Sequence, residues 1–328
     1  MSDFFYRAFE DRFRGSRSLI SSRLVVYQPF LSPLADAFQT PKALDLGCGR
    51  GEWLEVLGDA GFDAWGVDLN EGMLAACQER GLTGQLGDAL STLKGLPSES
   101  LALVSAFHLV EHLPFEAVQI LVQEALRVLV PGGLLVLETP NSENLTVGTS
   151  SFYLDPSHLR PLPAALLEFV AEYAGFCRSK VLYLLEAADL HGDSQVGLMD
   201  VLSGVSPDYA LVAQKNAPPA LMAEFDAPFN AKYGLSLDTL ARRYDAQTSQ
   251  FNMQLGEHSD QLEKAVVQLV AQMRQVQTHI ESQLSQVQTQ LEAMLGSRSW
   301  RITAPMRWLG GAARRVREWL AQFFKSTP

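Results

Sequence analysis

Three glycines at alternate positions occupy the segment LDLGCGRG, from Leu44 to Gly51. Glycine has no Cβ atom, so Gly47, Gly49 and Gly51 allow a tight turn and let the backbone touch a ligand that a side chain would exclude. A dinucleotide-binding fingerprint G-x-G-x-x-G would need glycine where this chain has Glu52. The spacing therefore predicts a nucleotide-type ligand at this loop and disfavours NAD.

Two aspartates follow the glycine loop, each after a predicted strand. Asp68 ends the segment DAWGVD, about twenty residues beyond Gly47, where a carboxylate can accept both ribose hydroxyls of a nucleoside. Asp68 can instead begin the next helix as an N-cap before Asn70. Asp88 follows the third predicted strand. Together and in this order, the two acids strengthen the prediction of a nucleoside site.

A second polar set follows the fourth predicted strand, in the segment FHLVEHLP from Phe107 to Pro114. His108, Glu111 and His112 should lie at the carboxyl edge of the sheet, where ligands bind in folds of this kind. A histidine there suits a general base for a hydroxyl acceptor. The same residues can instead be metal ligands or hydrogen-bonded pocket lining, and the sequence leaves these alternatives open.

The loop after the fifth predicted strand carries a third set, in SFYLDPSHLRP from Ser151 to Pro161. Asp155, His158 and Arg160 can bind hydroxyls or phosphate, and the neighbouring aromatic residues can stack on a sugar ring. An ordinary turn-rich connection is the alternative. Because loops at this edge often carry binding residues, we expect the acceptor pocket here.

Apolar strands alternate with amphipathic helices from Lys42 to about Lys215, and these elements must position all three sets. The alternation predicts an α/β fold with a parallel sheet and helices on both faces. Residues 3–39 have helical periodicity and should form a cap before Pro41. The predicted domain, with this cap, spans residues 1–217.

A change of pattern follows this domain. Pro218, Pro219 and Pro228 mark a predicted linker over residues 218–245. Apolar residues then recur in steps of four and three, with one stutter, which predicts a coiled coil over 246–296 and a homo-oligomer. A single amphipathic helix folded back on the domain is the alternative. The seam consists of Leu262, Val266, Leu269, Met273, Val276, Ile280, Leu284, Val287, Leu291 and Met294.

The remaining segment, 297–328, is basic and aromatic. From Arg298 onward, seven basic residues accompany Glu318 alone, so this tail carries +6 and the rest of the chain −17. On a helical wheel from Pro305 to Phe324, the aromatic and aliphatic residues share one half and the basic residues the other. This composition is typical of a helix in an anionic membrane interface. Docking on the acidic body of the chain is the alternative.

Composition bounds the other possibilities. The net charge of −11 argues against nucleic-acid binding. No apolar run approaches the ~20 residues that a membrane-spanning helix needs, and the first residues are not signal-like. The three cysteines have no paired metal-ligand spacing. We therefore expect a cytoplasmic protein without zinc or disulfides.

The spacing D-x-G-x-G-x-G resembles motif I of class I S-adenosylmethionine-dependent methyltransferases. The resemblance implies a Rossmann-like sheet and S-adenosylmethionine as the cofactor. It implies that the glycine loop packs against the methionine part and that Asp88 reads the adenine amino group. The implied cofactor-binding residues are Asp45, Gly47, Gly49, Gly51, Asp68 and Asp88.

Longer segments resemble methyltransferases of bacterial polysaccharide gene clusters, including those that cap O-antigen chains. The similar segments are FYRAFEDRFRGSR, FHLVEHLP, TPNSENL, FYLDPSHLRPLP and EYAGF, with SRSWRITAP after the heptads. By this resemblance, Tyr6, Arg14 and Arg17 close over the cofactor carboxylate or the acceptor; a solvated helix face suits them equally. Some such enzymes also carry a kinase that makes a phosphate acceptor. Nothing in this chain resembles a kinase, which favours a hydroxyl acceptor.

These observations predict an O-methyltransferase, peripheral at the inner face of the plasma membrane, that methylates a saccharide or glycolipid hydroxyl in O-antigen assembly. A glycosyltransferase is a candidate partner. One alternative is a methyltransferase of a small quinone-like or lipid acceptor, and another is a non-catalytic cofactor-binding scaffold that recruits glycosyltransferases. The predicted catalytic residues, with no bound metal, are His108, Glu111, His112, Asp155 and His158.

Overall fold

The computed structural model describes residues 17–192 and 194–325. The chain divides into two units, one up to Thr248 and the other from Ser249 onward. Tyr6 and Arg14, which are predicted to close over the site, lie outside the described residues.

Seven strands form one sheet in the first unit. They are Lys42–Leu46 (β1), Asp63–Asp68 (β2), Gly84–Leu86 (β3), Leu101–Phe107 (β4), Leu129–Pro140 (β5), Arg178–Leu184 (β6) and Asp208–Gln214 (β7). Their order is β3-β2-β1-β4-β5-β7-β6. The prediction of a parallel sheet is wrong for β7, which runs antiparallel to both β5 and β6. The sequence cannot reveal this, because a strand buried on both faces is apolar in either direction.

Helices cover both faces of the sheet, as predicted. On one face, Val118, Leu121 and Val122 of α6 are buried in the core, and on the other face Phe30 and Leu31 of α2 are buried. The helices up to β7 are Arg17–Leu24 (α1), Gln28–Ala37 (α2), Glu52–Asp59 (α3), Glu71–Gln78 (α4), Ala89–Gly95 (α5), Phe115–Val128 (α6), Leu145–Thr149 (α7), Ala164–Ala174 (α8) and Leu198–Ser203 (α9). Short 3-10 turns at Val25–Tyr27, Val110–His112, Ser151–Leu154 and Ala188–Leu190 complete this part.

The predicted linker over 218–245 is wrong, because this segment is packed on the first unit. Its helices Pro219–Ala223 (α10) and Asp226–Asn230 (α11) place Phe225 and Phe229 in the core. The Arg178 guanidinium pairs with Asp226 at 2.7 Å and lies 4.2 Å from the centre of the Phe229 ring. Prolines therefore mark tight helix starts here, and the folded unit extends about thirty residues beyond the predicted boundary.

The second unit is helical. A helix of 60 residues, Leu237–Gly296 (α12), begins in the first unit with Leu240 buried and continues through the second. Ser297 caps the short helix Arg298–Ile302 (α13), and Ala304–Lys325 (α14) follows. Among the described residues, no helix is both long and apolar enough to cross a membrane.

Candidate active site

The glycine loop joins β1 to α3 in a backbone conformation that side chains resist. Gly47, Gly49 and Gly51 have φ angles of 72°, 53° and 79°, which lie in the left-handed region favoured by glycine. A Cβ atom at Gly51 would come within 2.8 Å of Cys77 and Leu82. The loop conformation therefore favours glycine at all three positions, and close packing also requires it at Gly51.

Asp68, at the end of β2, holds this loop. Its Oδ2 accepts the backbone N–H of Gly49 at 2.9 Å, and its Oδ1 accepts that of Asn70 at 2.8 Å. The N-cap of α4 is Asn70, whose side chain accepts from the amides of Gly72 and Met73, so the alternative of Asp68 as a cap is wrong. Asp68 lines the cavity beside the loop, as its predicted contact with the ribose requires.

The other two predicted cofactor aspartates also line this cavity. Asp45 is buried and accepts a hydrogen bond from Ser105 Oγ at 2.7 Å. Asp88 caps α5 by accepting the Ser91 N–H at 2.8 Å, and this hydrogen bond holds the pKa of Asp88 below its usual value. Both carboxylates are therefore oriented by neighbours within the fold.

Arg17 does not line the cavity. Its guanidinium donates to Glu55 Oε2 at 2.8 Å and to the Arg50 carbonyl at 2.9 Å, so it fastens α1 to the glycine loop. Arg17 therefore lies outside the lining of the cavity in which its predicted contact with the cofactor would be made. From the same helix, Arg23 lines the cavity instead, and no sequence signal distinguished the two arginines.

One cavity of about 790 Å³ connects the glycine loop with the predicted acceptor side. Its volume lies within the ~300–1,000 Å³ typical of ligand pockets. His108, His112, Asp155 and His158 line it opposite the glycine loop and the cofactor aspartates. The cavity therefore has the residues expected for a nucleoside cofactor at one end and for an acceptor at the other.

His108 is clamped between two carboxylates. Its Nδ1 lies 3.3 Å from Glu111 Oε1, and its Nε2 lies 3.6 Å from Glu138 Oε1. Burial lowers the pKa of His108, but Glu111, Glu138 and Asp208 outweigh burial and raise this pKa well above its usual value. These carboxylates favour the protonated form of His108, which makes it less suited than a neutral histidine to be the predicted base.

Glu111 is the buried counter-ion of His108. It has no exposed surface, and its Oε2 accepts from Thr139 Oγ1 at 2.9 Å. Burial raises the pKa of Glu111, but the hydrogen bond and charge of His108 overcome burial and lower it. Glu111 does not line the cavity, so its predicted place among the catalytic residues becomes a supporting one.

His112 has the opposite electrostatic state. Burial lowers the pKa of its imidazole below the usual value, and His158 lowers it further against the opposing charge of Glu111. Its Nδ1 lies 3.0 Å from Ser157 Oγ, and its ring centre lies 4.6 Å from that of His158. A neutral imidazole that lines the cavity can accept a proton near neutral pH.

His158 and Asp155 complete this side of the cavity. His158 Nδ1 lies 2.6 Å from the Phe152 carbonyl oxygen, which can only accept, so this nitrogen carries a hydrogen. His158 Nε2 lies 3.9 Å from Asp155 Oδ2. Arg160 is absent from the lining and stacks over the Phe115 ring at 4.4 Å, so it does not contribute the predicted phosphate or hydroxyl contact.

His108, Glu111 and His112 are the residues of the predicted metal alternative. In the structure they belong to two different sets of possible metal ligands. Ligand atoms lie within 4.8 Å of one another in Glu111, His112 and His158, and likewise in His108, Glu138 and Asp208. Burial raises the pKa of Asp208 to about 6, and repulsion from Glu138 adds to this despite the charge of His108. The sequence analysis missed Glu138 and Asp208, although a glutamate inside the apolar strand β5 was a usable signal.

Tyr27 extends this acidic group. Its hydroxyl donates to Glu138 Oε2, and its ring packs edge-on against Trp53 and Phe107 at 5.4 and 5.5 Å. Trp53 and Phe107 line the cavity. Tyr27 therefore supports two lining residues from behind, whereas Ile20, Arg23 and Leu24 of the predicted cap line the cavity themselves.

Comparisons with known proteins agree with this geometry. A family model described as "Methyltransferase domain" matches residues 44–137. A structure described as a SAM-dependent methyltransferase from Archaeoglobus fulgidus is 31% identical, with a TM-score of 0.57 and coverage of 64% of this chain and 100% of that one. The chain belongs to the S-adenosylmethionine-dependent methyltransferases, and S-adenosylmethionine is the cofactor of this family.

Curated relatives match over part of their length. A "Probable S-adenosylmethionine-dependent methyltransferase" of Mycolicibacterium smegmatis is 32% identical over 51% of this chain and 62% of its own length. A "Ubiquinone biosynthesis O-methyltransferase" of Methylococcus capsulatus is 34% identical over 30% of this chain and 44% of its own length. The chain thus spans less than two thirds of these two relatives.

Proposed function

We propose that the protein transfers a methyl group from S-adenosylmethionine to a hydroxyl, on a saccharide end or a related acceptor in surface polysaccharide assembly. The observation that carries the proposal is the position of His112, which lines the cavity opposite the glycine loop and whose burial lowers the pKa of its imidazole. An alcohol must lose its proton as its oxygen is methylated, and a neutral histidine suits that task. His158, with its Nδ1 hydrogen held by Phe152, supports the same side of the cavity.

The charge of the cavity favours an uncharged acceptor over a phosphate. Glu138, Asp155 and Asp208 line the acceptor side. Among the described residues, Arg23 is the only arginine or lysine in the lining, and His108, whose protonated form is favoured, already faces Glu111 and Glu138. A phosphate would therefore meet mostly like charge, whereas sugar hydroxyls can donate hydrogen bonds to these carboxylates.

The residues of this chain perform three tasks in the proposed reaction. When bound, S-adenosylmethionine supplies a methyl group activated by its sulfonium. The glycine loop and Asp68 hold the cofactor end, which aligns the donor with the acceptor and accounts for much of the rate. His112 takes the hydroxyl proton, and the buried Glu111 carboxylate beside it stabilises the resulting imidazolium.

A quinone-like or lipid acceptor is the second candidate, and two observations favour it. Relatives named ubiquinone biosynthesis O-methyltransferases match this chain. The cavity is also lined by Ile20, Leu24, Leu154, Leu184 and Leu185, which suit an apolar substrate. The scaffold alternative also binds the cofactor, so the glycine loop does not argue against it; it is disfavoured because the chain belongs to a family of methyltransferases and because His112 and His158 line the cavity opposite this loop.

One experiment separates these candidates. The purified full chain is incubated with methyl-labelled S-adenosylmethionine and, in parallel, with polysaccharide intermediates or with a bacterial lipid extract. Label in base-stable methyl ethers of the saccharide supports the first candidate, and label in the quinone fraction supports the second. Binding of S-adenosylhomocysteine without transfer to either fraction leaves the scaffold as the better account.

We also propose that α12 pairs with a second copy of the chain. Its seam residues, defined above by their steps of four and three, are each between 49% and 67% exposed. A stripe of this spacing is buried when helices supercoil around one another. The copies would then present several active sites to one polysaccharide or membrane surface.

We propose further that α14 lies in an anionic membrane interface. Trp308, Leu309 and Trp319 are exposed, and Arg314, Arg315 and Arg317 lie on the same helix. The Arg307 guanidinium instead lies 3.6 Å from the centre of the Trp300 ring and donates a hydrogen bond to Thr303 Oγ1. Membrane attachment on the cytoplasmic side would bring the site to lipid-linked acceptors and to a glycosyltransferase partner.

A further inference from the structure

Ser157 connects an acid to the histidine that faces the acceptor. Its Oγ lies 2.6 Å from Asp155 Oδ1 and 3.0 Å from His112 Nδ1. Its backbone N–H also donates to Asp155 Oδ1, at 2.8 Å. Asp155 is buried, so this turn holds the serine hydroxyl firmly between its two partners.

The donors and acceptors in this chain of contacts allow one assignment of hydrogens. Asp155 Oδ1 accepts the Ser157 N–H, and because a carboxylate oxygen can only accept, the Ser157 hydroxyl donates its hydrogen across the 2.6 Å contact to the same oxygen. A hydroxyl has a single hydrogen to donate. With that hydrogen directed at Asp155, Ser157 Oγ can only accept from His112, whose Nδ1 must carry the hydrogen.

We infer that Ser157 is a positioning residue that, held by Asp155, keeps His112 in the Nδ1–H tautomer and directs its Nε2 lone pair to the acceptor hydroxyl. This inference rests on the proposed hydroxyl methylation. No comparison assigns a role to Ser157, and sequence reasoning placed it only within the acceptor loop.

The inferred arrangement accounts for every proton and electron pair of the transfer. The acceptor O–H bond breaks, and its proton moves to His112 Nε2. The oxygen electron pair forms the bond to the methyl carbon as the methyl–sulfur bond breaks and its electron pair stays on sulfur. His112 is then an imidazolium that still donates through Nδ1 to Ser157, and it later releases the Nε2 proton to solvent.

The other tautomer would defeat this step. With the hydrogen on Nε2, His112 would present a donor to the acceptor hydroxyl and could not take its proton. Loss of the Ser157 hydroxyl should therefore affect turnover more than substrate or cofactor binding, because the base acts in the transition state.

The test uses the full chain with ¹⁵N-labelled histidine, since only six histidines occur in it and His112→Gln assigns the relevant signals. In the unaltered protein, we expect His112 to have the Nδ1–H pattern. Ser157→Ala should mix the tautomers and lower kcat about 100-fold, with KM and the Kd of S-adenosylhomocysteine within twofold. Ser157→Thr, which keeps the hydroxyl, should restore both the tautomer and most of kcat. Ser150→Ala, a nearby exposed serine, is the matched control.

Unchanged tautomer and kcat in Ser157→Ala would overturn the inference, as would an Nε2–H pattern in the unaltered protein. Loss of activity in EDTA with recovery on adding a divalent ion would also overturn it, in favour of a metal held by Glu111, His112 and His158. The tautomer measurement needs no acceptor. It therefore decides the role of Ser157 separately from any failure of methyl transfer itself.

Discussion

The two units of the chain contain the same apolar residue types, which are buried in the first unit and exposed in the second. In the sheet, Leu44 and Leu103 are fully buried. In α12, Val276 and Ile280 are 59% and 56% exposed, although their spacing is that of a core. A helix with such a stripe gains stability only when something covers it. The first unit therefore completes its core within one chain, whereas the second has a surface suited to a partner.

The largest expected effect lies in the first unit, at the glycine loop. Gly49→Val should abolish binding of S-adenosylhomocysteine, because a β-branched residue resists the φ of 53° and would reorient the amide that Asp68 accepts. Calorimetry measures the loss. Gly58→Ala is the control, because its added Cβ meets no atom within 4 Å. Undiminished binding in Gly49→Val would place the cofactor away from this loop.

The next largest effect concerns the two histidines on the acceptor side. His112→Ala and His158→Ala should each lower kcat, by about 10²–10⁴-fold for the base itself, with cofactor affinity nearly unchanged. Steady-state kinetics and calorimetry on the same preparations check this. His191→Ala is the control, since this half-exposed histidine pairs with Glu186 at 2.8 Å away from the cavity lining. Full activity in both variants would leave these histidines as lining.

Two truncated fragments test where the first unit ends. The 1–248 fragment should be a folded monomer that binds S-adenosylhomocysteine, while the full chain is an oligomer. The 1–217 fragment should be much less stable, because removing a buried Phe side chain such as that of Phe225 or Phe229 costs about 3–5 kcal/mol. Light scattering and thermal unfolding measure both. An oligomeric 1–248 fragment would move self-association into the first unit.

The smallest expected effect lies in the tail. Trp319→Glu should weaken sedimentation of the full chain with anionic vesicles, because it places charge on the apolar side of α14. Salt should weaken the binding as well, since it screens the arginines. Gln288→Glu is the control, as it adds the same charge at an exposed position of α12. If Trp319→Glu and the combined replacement of Arg314, Arg315 and Arg317 by Glu both leave binding unchanged, docking on an acidic surface of the chain becomes the better account.

Much of the first unit was predictable because its signals are local. The alternation of strands and helices predicted from Lys42 to about Lys215 follows from apolar periodicity, and the observed sheet runs from Lys42 in β1 to Gln214 in β7. The segment after Pro218 was predicted to be a linker because a proline-rich linker and a pair of short helices that contain proline have similar sequences. Only the burial of Phe225 and Phe229 against distant helices reveals that this segment belongs to the fold.

What the sequence determined by itself is the class of site. Three glycines at alternate positions allow a left-handed loop, and Asp68 and Asp88 follow strands whose carboxyl ends meet at the same sheet edge, so the order of strands along the chain predicts their carboxylates beside the loop. The tertiary structure alone decided which histidine can act as a base. His108 and His112 are four residues apart and of one type, yet Glu111 and Glu138 raise the pKa of His108, while burial lowers the pKa of His112, which lies 3.0 Å from Ser157 of the acceptor loop. The protonation of each histidine depends on side chains that the fold brings together at the sheet edge, and the sequence does not contain the distances between them.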